Sequence, residues 1–123
     1  MQLATALKRT EQTLSTTVQS IPAPDGELII TGSIGSTYLL DFAQGIRIQL
    51  AVTLTADCVI TVANHTAGCT AELWLTQDDV GGRALYVSDG TTPQPVALPG
   101  GPGTLGVVRI VCPDDTNINV TGG

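Results

Sequence analysis

Ile46-Arg47-Ile48-Gln49-Leu50-Ala51-Val52-Thr53-Leu54-Thr55 places a large aliphatic residue at every even position and Arg, Gln, Ala or Thr at every odd one. A period of two belongs to extended chain, in which successive side chains point to opposite faces. One face apolar and the other polar predicts a half-buried strand. A helix would spread the same aliphatic residues around its whole circumference. After Ala56-Asp57 the period resumes at Cys58, Ile60 and Val62.

The pattern extends in both directions. Upstream, Glu27 to Thr31 reads as a strand, and Tyr38, Leu40 and Phe42 share a face opposite Asp41. Downstream, Leu73-Trp74-Leu75-Thr76-Gln77-Asp78-Asp79-Val80-Gly81-Gly82-Arg83-Ala84-Leu85-Tyr86-Val87 sets two apolar runs around an acidic, glycine-bearing loop, and predicts a β-hairpin. Leu73 and Leu75 face one way there, and Glu72, Trp74 and Thr76 the other. Pro95 to Leu98 is expected as a short edge strand beside proline. Leu105–Cys112 and Asn117–Thr121 are expected as a closing hairpin around Pro113-Asp114-Asp115-Thr116. Short strands every ten residues or so, divided by turn chemistry, predict an all-β domain over residues 27–123. Its expected form is an antiparallel β-sandwich or jelly-roll-like barrel of about eight or nine strands. No helical period separates the strands, which argues against βαβ units, and no long internal repeat suggests a solenoid.

Residues 1–20 differ. Leu3, Leu7, Leu14 and Val18 recur at spacings compatible with a short amphipathic helix or coiled seam, although Ser15-Thr16-Thr17 disfavours helix. The segment is expected to be an N-terminal arm or short helix that orders against a neighbour, the alternative being a frayed terminus. Residues 21–26, with Pro22, Pro24 and Asp25-Gly26, form the expected linker.

The 123 residues carry a net charge of −6, with only Lys8, Arg9, Arg47, Arg83 and Arg109 basic. So few scattered cations argue against nucleic acid and against anionic membrane surfaces as partners. The start lacks a basic leader followed by an apolar block, so folding in a cytoplasm is expected. Charged residues amount to 13% and aromatics to 3%, which leaves a Val/Ile/Leu core and a surface unusually poor in ions. Such a surface suits burial against other subunits, and the abundant threonine offers a second explanation.

Residues able to carry chemistry are sparse. Cys58, Cys69 and Cys112 match no zinc spacing and are expected as reduced, buried thiols, with a Cys58–Cys69 disulfide as the alternative. His65 stands alone in a predicted turn. The Asp78-Asp79 and Asp114-Asp115 pairs fit turn capping better than a Ca²⁺ loop. No nucleophile elbow or phosphate loop occurs, so no catalytic, metal or cofactor site is expected. Trp74 is read as an assembly contact, with an exposed sugar-binding platform as the competing reading.

From about Leu50 onward the chain resembles a small β-rich module of tailed-bacteriophage virion proteins. The resemblance rests on Leu73-x-Leu75-x-Gln77-Asp78 with its Gly81-Gly82-Arg83 turn, the Pro99–Gly103 loop and the acidic closing hairpin. The Trp-Pro-x-Gly that tends to follow in that module is replaced by Val87-Ser88-Asp89-Gly90, and no long shaft precedes the module. The resemblance implies a virion structural protein assembled in the host cytoplasm. The best fit is a capsid decoration (cement) protein that binds the major capsid protein as a homotrimer. Leu3, Leu7, Leu14 and Trp74 are its expected assembly contacts. A tail-tip or tail-fibre component, or a host-surface glycan-binding module, is the alternative.

Overall fold

The computed structural model describes residues 17–22 and 27–122. Ten strands occur among them. They are β1 (Thr17–Pro22), β2 (Glu27–Ile34), β3 (Thr37–Asp41), β4 (Arg47–Leu54), β5 (Cys58–Ala63), β6 (Thr70–Gln77), β7 (Leu85–Ser88), β8 (Gln94–Val96), β9 (Leu105–Val111) and β10 (Asn119–Gly122). They form a six-stranded sheet in the order β1-β2-β4-β6-β9-β10 and a four-stranded sheet in the order β3-β5-β7-β8. The all-β class is as expected. The two layers remain separate sheets and do not close into a barrel.

The expected antiparallel pairing fails in the middle of the molecule. β2·β4, β4·β6, β3·β5 and β5·β7 are parallel, and antiparallel pairing is confined to β1·β2, β6·β9, β9·β10 and β7·β8. From β2 to β7 the chain changes sheet after every strand. Two neighbours in one sheet are therefore a full circuit apart and run the same way. Residues 35–46, which contain β3, serve as the crossover that a parallel pair requires. The chain thus winds in solenoid fashion without the sequence repeat that was expected to accompany such winding.

Short turn segments misled the sequence reading because a sheet-to-sheet corner and a hairpin turn use the same residues. Gly35-Ser36 and Thr55-Ala56-Asp57 are corners, and they stack between circuits. Thr55 N donates to Ile34 O at 3.0 Å, Val59 N to Ser36 O at 3.0 Å, and Cys58 N to Ala84 O at 2.8 Å. The Leu73–Val87 stretch is another such corner and not the expected hairpin, since β6 and β7 lie in different sheets. The closing hairpin and the Pro95 edge strand do appear, as β9·β10 and β8.

In-register pairing, parallel from β2 to β6 and antiparallel at β6·β9, lines up apolar residues. Ile30, Leu50, Leu73 and Val108 are consecutive partners across the six-stranded sheet, each at most 2% exposed. Leu40, Ile60, Val62, Leu85 and Val87 meet them from the other layer. Burying each such side chain contributes roughly 1.5–3 kcal/mol. The stacked row makes these gains mutually dependent.

β1 spans the expected boundary between the arm and the linker, pairing Thr17 with Ser33 through Pro22 with Leu28. Its β-branched residues suit an edge strand. Residues 1–16 and 23–26 lie outside the described residues, as do the expected contacts Leu3, Leu7 and Leu14. β1 and β10 are the two edges of the six-stranded sheet, and β3 and β8 those of the four-stranded one.

Candidate assembly surface

Alternation sends every second residue of the six-stranded sheet outward. On β2 and β4 this outer face is mixed: Glu27, Thr31, Ser33, Arg47, Gln49, Ala51 and Thr53, with Ile29 among them. Towards β9 it becomes apolar. Trp74 is 39% exposed, and Leu105, Val107 and Val111 are 46%, 36% and 39% exposed. Ala51, Trp74 and Val107 are register partners, so the small Ala51 methyl lies beside the indole.

Trp74 is held in place from below. Its Nε1 donates to Glu72 Oε1 at 2.7 Å, and Arg109 Nη2 contacts Glu72 Oε2 at 2.6 Å. Those two bonds hold the Glu72 carboxyl below the usual carboxylate range, Arg109 contributing more. Covering this pair is less costly than covering a lone carboxylate, although both charges would still lose water. The surface is therefore an aliphatic stripe around one aromatic, bordered by the Glu72–Arg109 ion pair.

The Gln77–Arg83 segment, the strongest motif in the sequence, has a structural task. Gln77 is 3% exposed, and its amide nitrogen donates to Arg83 O at 3.0 Å and Pro99 O at 3.2 Å. Its Oε1 accepts Arg83 N at 2.9 Å. Asp78 accepts amides from Val80 and Gly81 and a forked contact from Arg83, which lowers its pKa and raises that of Arg83. Gly81 has φ +75°, and a Cβ there would lie 2.7 Å from Gly100 O. The corner is thereby clamped to the Pro99–Gly103 loop, below β9. Sequence inspection singled out the motif but missed Gln77 as its buried hub, because a polar residue at a strand's inward position carries no partner information.

The second acidic pair also serves a turn. Asp114 accepts Thr116 N at 2.8 Å and Asn117 N at 2.7 Å, together with the Asn117 side-chain amide, and these bonds hold it well below the usual carboxylate range. Asp115 caps Ala67 N at 3.3 Å. No group of three or more His, Cys, Asp or Glu residues that could hold a metal occurs among the described residues.

Cys58, Cys69 and Cys112 are free and buried, and burial pushes Cys58 and Cys112 up to about 11. The alternative Cys58–Cys69 bond is absent. Cys69 is instead the backbone neighbour of Cys112, whose N donates to Cys69 O at 2.9 Å. His65 lies in the turn after β5, half-buried, with Nδ1 lacking a hydrogen-bond partner.

Comparison of the chain with protein-family models, with curated proteins and with solved structures yields no match.

Proposed function

We propose that this chain is a bacteriophage virion structural protein, a capsid decoration protein that binds the outer shell as a homotrimer. The observation that carries this reading is the apolar stripe of Trp74, Leu105, Val107 and Val111 on the outer face of the larger sheet. Side chains of this kind form the centre of protein interfaces, with aromatic anchors surrounded by uncharged neighbours. The low charge content and the virion-module resemblance of Leu73–Arg83 and the closing hairpin support the same reading. Its partners are other copies of itself and the major capsid protein, and it needs neither nucleic acid, membrane nor cofactor for this task. It is not proposed to be an enzyme.

Electron microscopy of purified particles tests the location. Density for this protein on the head supports decoration, density on the tail supports the tail-tip or fibre alternative, and absence from particles overturns both. Trp74 itself favours a second reading. An exposed indole beside Glu72 and Arg109 is also how a protein presents a glycan platform. Specific binding on a glycan array, abolished by Trp74→Ala, would establish that function in place of assembly.

A further inference from the structure

The larger sheet ends on β10 and the smaller on β8. Between these two edge strands lies an open slot of about 580 Å³. Val96, Ile118 and Val120 form its apolar base, packed against the core yet only half-buried, and Asp89 and Gln94 stand at its rim. The lining is mixed, with three half-buried aliphatic residues among Thr91, Thr92, Gln94 and Thr121, and suits a segment that is apolar on one side and polar on the other.

The chain itself contains a suitable occupant. Residues 1–16 lie outside the described residues and carry Leu3, Leu7 and Leu14. A spacing of four puts Leu3 and Leu7 on one side of a helix and of a strand alike. The same segment holds Lys8 and Arg9 against the single acid Glu11, a net charge of +1, while the rest of the chain carries −7. The charge of the segment thus complements the body that would receive it.

Residue 17 begins β1, at the edge of the sheet opposite β10, five strand spacings or about 24 Å away. Sixteen residues can span about 50 Å, long enough to reach beyond the chain's own sheet to a neighbouring copy. Donation between copies is the arrangement that a self-assembling chain would use, and cross-linking within single chains is the outcome that excludes it. Pro95 lacks an N–H, which removes one backbone donor from β8.

We infer that the slot between β8 and β10 receives residues 1–16 of a second copy of this chain. Leu3 and Leu7 bury against Val96, Ile118 and Val120, and Lys8 and Arg9 face Asp89. This rests on the reading of the chain as a self-assembling protein and specifies how that assembly closes. Each copy gives an arm at one end and accepts one at the other, a head-to-tail contact that forms a ring when the rotation closes.

The test uses the full chain with a photoreactive benzoylphenylalanine in place of Leu7. Illumination is expected to give covalent dimers and trimers on a denaturing gel, with junctions in residues 94–97 or 118–122. Val120→Asp should lower that yield by about tenfold, since it puts a charge against the incoming leucines. Gln94→Lys, at the exposed rim, should lower it severalfold by repelling Lys8 and Arg9 without touching the core. Cross-linking within single chains, junctions elsewhere, or no cross-link overturns the inference. Sedimentation of the unmodified protein separates the two ideas. An oligomer without arm–slot junctions sinks only this inference, whereas a monomer at every concentration sinks the assembly reading as well.

Discussion

Leu73 and Trp74 are adjacent on β6 yet belong to different worlds. Leu73 is fully buried in the aliphatic row that joins four strands, while Trp74 is 39% exposed on the outer face, its indole fixed by Glu72. The inner face is defined by shape and register, because every residue there has neighbours from both layers. The outer face is defined by an apolar stripe, Trp74 with Leu105, Val107 and Val111, beside the Glu72–Arg109 ion pair. The same alternation therefore builds a core on one side and a contact surface on the other. Only the first is needed for the chain to fold alone.

The strongest way to expose that difference is to cut the core side. Leu73→Ala should cost about 3 kcal/mol in denaturant unfolding, as expected for a leucine cavity that its surroundings cannot fill. A loss below about 1 kcal/mol would mean that the stacked row is looser than its register implies. Gln77→Leu should cost about 2 kcal/mol, because Arg83 N, Arg83 O and Pro99 O all lose a buried partner. An unchanged midpoint would show that the corner is held by Asp78 and Arg83 alone.

On the outer side the expectation reverses. Trp74→Ala should cost about 1 kcal/mol of monomer stability, yet weaken self-association at least about tenfold by sedimentation. Equal sedimentation of variant and parent would remove Trp74 from the interface. The smallest effect concerns acid. Asp114, Asp78 and Glu72 have folded pKa values below their unfolded ones, so the stability they lend is present above about pH 4 and lost as the pH falls through the folded values. Thermal midpoints should therefore decline only below about pH 4. Asp114→Asn should flatten part of that decline, and an identical acid limb would show that the turn amides do not favour its charged form.

Several of these features were legible in the sequence. The alternation of Ile48, Leu50, Val52 and Leu54 gave β4 and its buried face, and Pro95 marked an edge strand. The acidic turns could be read because Asp bonds local amides whatever the tertiary setting. Parallel pairing could not be read. Corner segments such as Gly35-Ser36 carry the residues of any tight turn, and the direction of the next strand depends on which sheet receives it. The contacts that decide this, such as Val59 N to Ser36 O, join residues a full circuit apart. Likewise, β9 presents Leu105, Val107 and Val111 as one strand among many in the sequence. They become a stripe only beside Trp74, across the antiparallel β6·β9 pair.

The sequence by itself determined the all-β class, which residues of each strand share a face, and the chemistry of the turns, because each depends on neighbours within a few positions. The tertiary structure alone decided the winding between two layers, the slot between β8 and β10, and the outward apolar stripe. Those depend on which distant strands pair, and hydrophobic period records only which side of a strand avoids water, never what lies across from it.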